Sequence, residues 1–337
     1  MQPRERVLAA IRHEQPDRVP YHIELTIEAR RRLAQFLGDP DFEQKLGNHM
    51  AITKALAPGF PLEIRPDHFE DEFGVVWDRS RDITLGLPRP IFSGPDMTGY
   101  AFPDPDDPGR YTHLASFFQD HPEKFRVVKL SHTLFERAWS FRGFQEFLTD
   151  LYLYPAFVQE MLERITEFNL KILDNLRPFE VDAIFFGDDW AAQSGLLFSR
   201  DLWRQFIKPR MRQLFDRVHS HGWTVILHCC GAVEELLPEL IEMGLDVFNP
   251  FQPEVMDVYR VKREYGDKLS FFGGLSIQRL LPFGSPEDVR RETRRMIAEV
   301  GRQGGFILAP AHALPGDVPP ENLLAMIEAG GGEIIIG

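Results

Sequence analysis

Cysteine is nearly absent: the chain has two among 337 residues, adjacent at Cys229 and Cys230. Two neighbouring thiols cannot staple a fold, so a disulfide scaffold is excluded and a reducing, cytoplasmic setting is expected. No apolar run approaches the roughly 20 residues that a membrane helix needs. The opening Met1-Gln2-Pro3-Arg4-Glu5-Arg6-Val7-Leu8 also lacks the apolar core of a secretory signal. Gly-x-Gly-x-x-Gly and Walker-type loops are missing, which leaves dinucleotide and nucleoside-triphosphate chemistry without support. Positive charge is short as well: 38 Lys and Arg stand against 51 Asp and Glu, a net charge of -13. That balance disfavours generic binding to nucleic acid or to anionic membranes. No internal repeat or low-complexity segment stands out.

What is present is a soluble, globular composition, 43% hydrophobic and 26% charged. The length suits a single α/β barrel carrying an insertion. The helical spacing Val7, Leu8, Ile11 is broken at Pro16-Asp17-Arg18 before a strand over Val19 to Glu24. Helical patterns follow over Glu28 to Leu37 and around Phe42 to Ala57, and Pro61 to Arg65 reads as a second strand. From Phe73 to Tyr111 the chain is rich in Gly, Pro and Asp and reads as an irregular, hairpin-bearing insertion. Apolar strands then alternate with covering helices. The strands are expected at Arg126 to Ser131, Asp182 to Gly187, Thr224 to His228, Asp246 to Pro250, Leu269 to Gly273 and Phe306 to Pro310. With the two earlier ones the count reaches about eight, which fits a closed (β/α)8 TIM barrel better than an open doubly wound sheet. One barrel domain is therefore expected over 1–329, with the irregular insertion at about 73–125. A Gly-rich tail over 330–337 has no assigned role.

The most informative stretch is Thr224-Val-Ile-Leu-His-Cys-Cys-Gly231, a short apolar strand that ends in three side chains able to bind metal. Strand alternation points His228 and Cys230 to one side and Cys229 to the other. His-x-Cys is a ligand pair for a thiophilic ion such as zinc and needs further ligands from elsewhere. The competing reading is a pair of buried cysteines beside a hydrogen-bonded core histidine. In a barrel, function gathers where strands end. Polar residues occupy those places: Glu24 after the first strand; His68, Glu70 and Asp71 after the second; Ser131, His132 and Glu136 after the third. Asp188 and Asp189 follow the fourth, Asn249 and Gln252 the sixth, Ser276 and Gln278 the seventh, and His312 the eighth. His228, Cys230 and His312 are the expected metal ligands. Asp188, Asp189 and Glu136 are the expected catalytic or orienting carboxyl groups, with a loop or helix-cap role as the alternative for the aspartates. Glu24, His132, Asn249 and Gln252 are expected around the substrate.

Arg4-Glu5-Arg6-Val7-Leu8-Ala9-Ala10, followed by Pro16-Asp17-Arg18-Val19-Pro20, resembles the start of the uroporphyrinogen decarboxylase superfamily, and the resemblance runs through nearly the whole chain. It implies a (β/α)8 barrel. The superfamily divides into metal-free decarboxylases and corrinoid-linked methyltransferases, which bind zinc through His-x-Cys and a distant Cys. His228-Cys229-Cys230-Gly231 is similar to the second branch. The closing Leu308-Ala309-Pro310-Ala311-His312 through Asp317-Val318-Pro319-Pro320-Glu321-Asn322 resembles the segment bearing the third ligand. Ala311-His312-Ala313 stands where that branch has its distant cysteine, so the implied set is His-Cys-His. The decarboxylases carry an Arg-Gln-Ala-Gly-Arg-Tyr segment for the substrate's carboxylates, and Ile23-Glu24-Leu25-Thr26-Ile27-Glu28 takes its place here. Loss of arginine forks argues against a polycarboxylate.

The resemblance thus implies methyl transfer between a corrinoid and a small thiol or methoxylated substrate, in either direction, with zinc as Lewis acid. The chain has no Asp-x-His-x-x-Gly corrinoid-binding motif, which places the corrinoid (a methylcobamide) on a partner protein. A homodimer is an expectation from fold analogy alone. The competing functions are a metal-free tetrapyrrole decarboxylase and a non-catalytic barrel that holds a metal or corrinoid.

Overall fold

The computed structural model describes residues 1–80 and 86–332. Seven parallel strands form one curled sheet in chain order: β1 (Met50–Thr53), β2 (Phe125–Ser131), β3 (Ala183–Gly187), β4 (Thr224–His228), β5 (Val247–Phe251), β6 (Ser270–Leu275) and β7 (Phe306–Pro310). Residues 19–25 close the ring between β7 and β1. On one side they bridge in parallel at Tyr21–Leu308 and Leu25–Leu314. On the other, the Tyr21 carbonyl accepts from the His49 N–H at 3.1 Å. The Asn48 side chain there accepts from the Ile23 N–H at 2.8 Å and donates to its carbonyl at 3.0 Å. The result is a TIM-barrel-like α/β fold in one domain, as the alternation of strands and helices predicts. Among the described residues no helix is long and apolar enough to cross a membrane.

Strand periodicity divides the core into two layers. Val127, Phe185, Ile226, Val247, Phe272, Ile307 and Ala309 fill the barrel interior. Their neighbours Val128, Ile184, Phe186, Val225, Leu227 and Leu308 face the surrounding helices. Helix α1 (Pro3–Ile11) closes the end of the barrel away from the strands' C-termini, with Val7 fully buried among the interior residues. Burying such a side chain contributes about 1.5–3 kcal/mol. The Arg4 guanidinium holds α1 in place by donating to the Asp182 carboxylate from Nε and Nη2 at 2.7–3.1 Å.

Two early expectations are corrected. The second barrel strand is β1, inside the stretch expected to be helical around Phe42 to Ala57, where only Phe42–Lys45 makes a short 3-10 turn. A four-residue strand holds too few turns of either period to be told from a helix by its pattern. Pro61 to Arg65 is not a barrel strand. Leu62–Arg65 is an edge of a separate four-stranded antiparallel sheet with His68–Glu70, Val76–Asp78 and Leu87–Arg89, and Leu62 and Ile64 are exposed there. His68, Glu70 and Asp71 therefore belong to the sheet between β1 and β2. Residues 333–337, most of the Gly-rich tail, lie outside the described residues.

Asp71 organises this sheet and ties it to the barrel. Its carboxylate accepts from the Phe73 and Val75 N–H groups at 3.0 Å, from the Trp77 indole at 3.0 Å and from Arg137 Nη1 at 2.6 Å. Arg137 lies on helix α2 (Phe135–Arg142), which follows β2, and its guanidinium also covers the Phe73 ring at 4.1 Å. Asp71→Ala removes four interactions and leaves a buried cation alone. It is expected to cost about 3–5 kcal/mol, with amide exchange rising over 62–78 before it rises in β2 to β7.

Candidate metal centre

The interior face of β4 carries Ile226 and then His228, so strand parity aims the imidazole into the barrel. His228 Nδ1 lies 2.6 Å from Asn249 Oδ1 on β5, while Asn249 Nδ2 donates to the Phe272 carbonyl of β6 at 2.9 Å. The second bond fixes which end of the amide faces the ring. Because Oδ1 can only accept, Nδ1 must carry the proton, and Nε2 keeps its lone pair for the cavity. Cys230 Sγ lies 3.2 Å from that Nε2. The His312 ring follows β7, with its centroid 5.1 Å from that of His228. One donor atom from each of His228, Cys230 and His312 falls within 4.8 Å of the others. A tetrahedral zinc ion requires N and S ligands about 3.5 Å apart, so these three fit the ion with a small contraction and leave a fourth position toward the cavity.

The turn beneath Cys230 is tightly specified. Gly231 has φ +91°, and a Cβ there would lie 2.5 Å from the Ala191 carbonyl oxygen. Asp189 Oδ1 accepts from the Cys230 N–H at 2.7 Å and stands 3.9 Å from His228 Nε2. Burial pushes the Cys230 thiol up, and Asp189 and Glu136 add to the shift. A divalent cation inverts that balance. Cys229 faces away, fully buried, with its sulfur accepting the Trp190 N–H at 3.3 Å. Burial, His228 and nearby positive charge hold His312 down at about 4, so its imidazole is neutral and able to ligate.

The cluster opens into a cavity of about 590 Å3, a volume suited to a small-molecule ligand. Glu24, Glu136, Asp189, His132 and Asn249 share its walls with His228 and His312. Burial, reinforced by Asp189 and Asp188, raises Glu136 well above its ordinary value, which favours its protonated, hydrogen-bond-donating form. Both oxygens of Glu24 take the Lys129 ammonium at 3.1 Å. Burial raises the Glu24 pKa, but Lys129 and His22 outweigh it and hold it at about 2. His132, at φ +52°, packs on Trp77 with ring centroids 4.9 Å apart, along the wall shared with the added sheet.

Two expected site residues stand behind the cavity. Asp188 is fully buried; its carboxylate accepts from the N–H groups of Leu134, Phe135 and Glu136 at 2.9–3.1 Å and from the Trp190 indole at 2.6 Å. It caps the start of α2. Burial pushes its pKa up to about 6 against these donors, which leaves it ionised at neutral pH. Gln252 supports the Gly231 N–H at 3.4 Å and does not reach the cavity. His68 pairs with Asp78 within the added sheet at 3.2 Å.

Polar lining residues that went unmarked in the sequence include His22, Lys54, Glu72, Arg79, Lys129, Arg137 and Asn169. For Lys129 a signal existed. It lies at the inward parity of Phe125 and Val127 in an otherwise apolar strand, where a charge faces the barrel interior.

A family model described as Uroporphyrinogen decarboxylase (URO-D) matches residues 133–331. A methylated-thiol–coenzyme M methyltransferase of Methanosarcina mazei is 28% identical over 175 residues, covering 52% of this chain and 44% of that protein. A uroporphyrinogen decarboxylase of Methylococcus capsulatus is 25% identical over 194 residues, covering 56% of this chain and 53% of its own. The matched stretch thus spans about half the length of these curated relatives. Among solved structures, a methyltransferase from Methanosarcina mazei superposes over 98% of both chains with a TM-score of 0.72 at 19% identity, a likeness of fold.

Two outcomes follow from this geometry. Asp188→Ala leaves four donors unpaired at about 1–3 kcal/mol each, so the variant should lose several kcal/mol in urea denaturation. Burial also lowers His22 to about 4 and His132 to about 3. Because these folded-state values lie below the unfolded value near 6.5, their contribution is complete above about pH 6.5 and is lost as pH falls toward 4 and 3. The pH dependence of unfolding free energy between 6.5 and 4 should flatten in His22→Gln by up to about 1.4 kcal/mol per pH unit.

Proposed function

The chain belongs to the uroporphyrinogen decarboxylase (URO-D) family, and from that premise we propose that it is a zinc-dependent methyltransferase or demethylase, moving a methyl group between a corrinoid on a partner protein and a small thiol or methoxylated substrate. The observation that carries this reading is the convergence of His228, Cys230 and His312 into one cluster, of which His228 and His312 line the cavity, with the His228 tautomer set by Asn249. The methyltransferase among the curated relatives supports the same branch. Bound at these donors, zinc would supply Lewis acidity, lowering the pKa of a thiol or polarising the oxygen of a methyl ether.

The chain's own groups do the positioning. Asn249 fixes the Nδ1–H tautomer of His228, Asp189 fixes the backbone at Cys230, and the Glu136 carboxyl, pushed toward its protonated form, offers a proton or a hydrogen bond to a substrate heteroatom. The Glu24–Lys129 pair fills the wall beside His22 and His312 without net charge. Asp188 acts through α2, Trp190 and the end of β4, and Asp189 remains the aspartate able to meet a ligand.

Protein prepared with zinc is expected to hold about one ion per chain by elemental analysis. Cys230→Ser and His312→Ala should lose the metal, and Asn249→Ala should weaken binding by about 10–100-fold. Chelated wild-type protein should stop transferring methyl groups between methylcobamide and thiols or methoxylated aromatics. Protein without metal that releases CO2 from uroporphyrinogen would overturn the reading in favour of a decarboxylase.

A further inference from the structure

Helices α3 (Phe144–Leu153) and α4 (Pro155–Asn175) continue the chain from α2 by way of Gly143, at φ +99°. One side of α3 is fixed to the protein. Phe147 and Leu151 are buried there, Phe147 packs on Phe135 with ring centroids 5.7 Å apart, and the Asp150 carboxylate accepts from Arg142 Nε at 2.7 Å. The other side is a shallow hollow lined by Phe144, Gln145, Leu148, Thr149, Tyr152 and Leu153. Tyr152 and Leu153 project from it at 66% and 65% exposure, and Tyr154, Pro155 and Ala156 prolong the exposed stretch into the start of α4. Single exposed apolar residues are ordinary on a protein surface. Six neighbouring side chains without one Asp, Glu, Lys or Arg are not, in a chain that is 26% charged.

We propose that this face of α3 docks a second copy of the chain, with the two helices antiparallel about a two-fold axis that passes between Leu148 and Thr149. The face is self-complementary in that arrangement. Gln145 and Tyr152 are seven residues apart and so lie within about 20° of each other around the helix, on the midline of the exposed side, with Leu148 to one flank and Thr149 to the other. The two-fold sets each Gln145 amide, an acceptor, against the Tyr152 hydroxyl of the second copy, a donor, and brings Leu148 and Thr149 against their own counterparts. Charge selects this occupant. Two copies that each carry a net charge of -13 repel across most of their surfaces, and an uncharged patch is where they can meet. A basic partner would be drawn to the acidic surface instead. Because α3 is only about 15 Å long, it covers less than the roughly 800 Å2 per partner of a standard interface, so the dimer is expected to be reversible, with a Kd on the order of 10 μM. None of these residues lines the barrel cavity, which makes the inference independent of the proposed function.

The test is analytical ultracentrifugation of the full chain across a concentration series that brackets about 10 μM, with circular dichroism as the check on folding. The weight-average mass of wild type should rise from 38.9 kDa toward twice that value, and association should tighten as added salt screens the net charge. Thr149→Lys sets like charges across the axis and should leave a monomer; Tyr152→Ala should weaken the dimer by about 30-fold. Under mild oxidation Thr149→Cys should form a disulfide-linked dimer, while wild type and Ala298→Cys, an exposed position on a different helix, should not. Tyr152→Ala and the cross-link are independent readouts should Thr149→Lys fail to fold. A monomer at every concentration overturns the second copy and leaves the face to a different protein. A dimer whose Kd is unchanged in Tyr152→Ala, or one that dissociates as salt is added, overturns the apolar face as its contact. Cross-linking no stronger in Thr149→Cys than in Ala298→Cys overturns the antiparallel arrangement.

Discussion

The carboxylate of Asp188 is the point from which the active face of the barrel hangs. It leaves the end of β3, gathers three backbone N–H groups from the first turn of α2 and the indole N–H of Trp190, and its own N–H donates to the His228 carbonyl at 3.0 Å. One buried anion thereby sets the relative positions of β3, α2 and the end of β4. Helix starts attract negative charge because their first N–H groups lack partners, and a fully buried carboxylate with four donors makes that attraction rigid. Glu136, on the capped turn, and Asp189, the next residue along, take their positions from it. Glu136 and Asp189 meet the cavity while Asp188 does not.

A second constraint is the proton inventory of the interior. His228 reaches Asn249, which reaches the Phe272 carbonyl, so a line of hydrogen bonds crosses three neighbouring strands and ends in an imidazole lone pair. Around it burial holds His312 down at about 4 and pushes Glu136 up, while Lys129 and His22 hold Glu24 down at about 2. A dipositive ion among His228, Cys230 and His312 would therefore be the dominant local charge, with Asp189 the anion beside the cluster.

The sequence was most readable where period and chemistry coincided. β2 to β7 were visible as apolar runs of strand length, and the His-x-Cys pair declared its facing by parity; His312 could be added only through the family resemblance and its place after the last strand. β1 was not readable, because Met50-Ala-Ile-Thr is too short to show a period and follows a turn that resembles a helix start. The first strand was visible as an apolar segment, although it joins its neighbours by isolated bridges and the Asn48 side chain instead of a full ladder. Asp188 and Asp189 look alike in the sequence, and only the fold separates a cap from a cavity group. Lys54 carried no pattern at all, since its place depends on the unseen β1, whereas the inward parity of Lys129 was legible in principle.

The sheet between β1 and β2 gives the cavity walls two structural sources. Trp77, Phe73 and Arg79 reach the ligand space from this sheet, while the residues proposed to hold the metal come from β4 and the segment after β7. The sheet is moored to the barrel through Asp71 and Arg137, and it takes no part in the hydrogen-bonded ring of strands. Part of the cavity wall and the candidate metal ligands are thus encoded in separate stretches of the chain. Substitutions in the described part of that sheet therefore reshape the cavity wall without touching His228, Cys230 or His312.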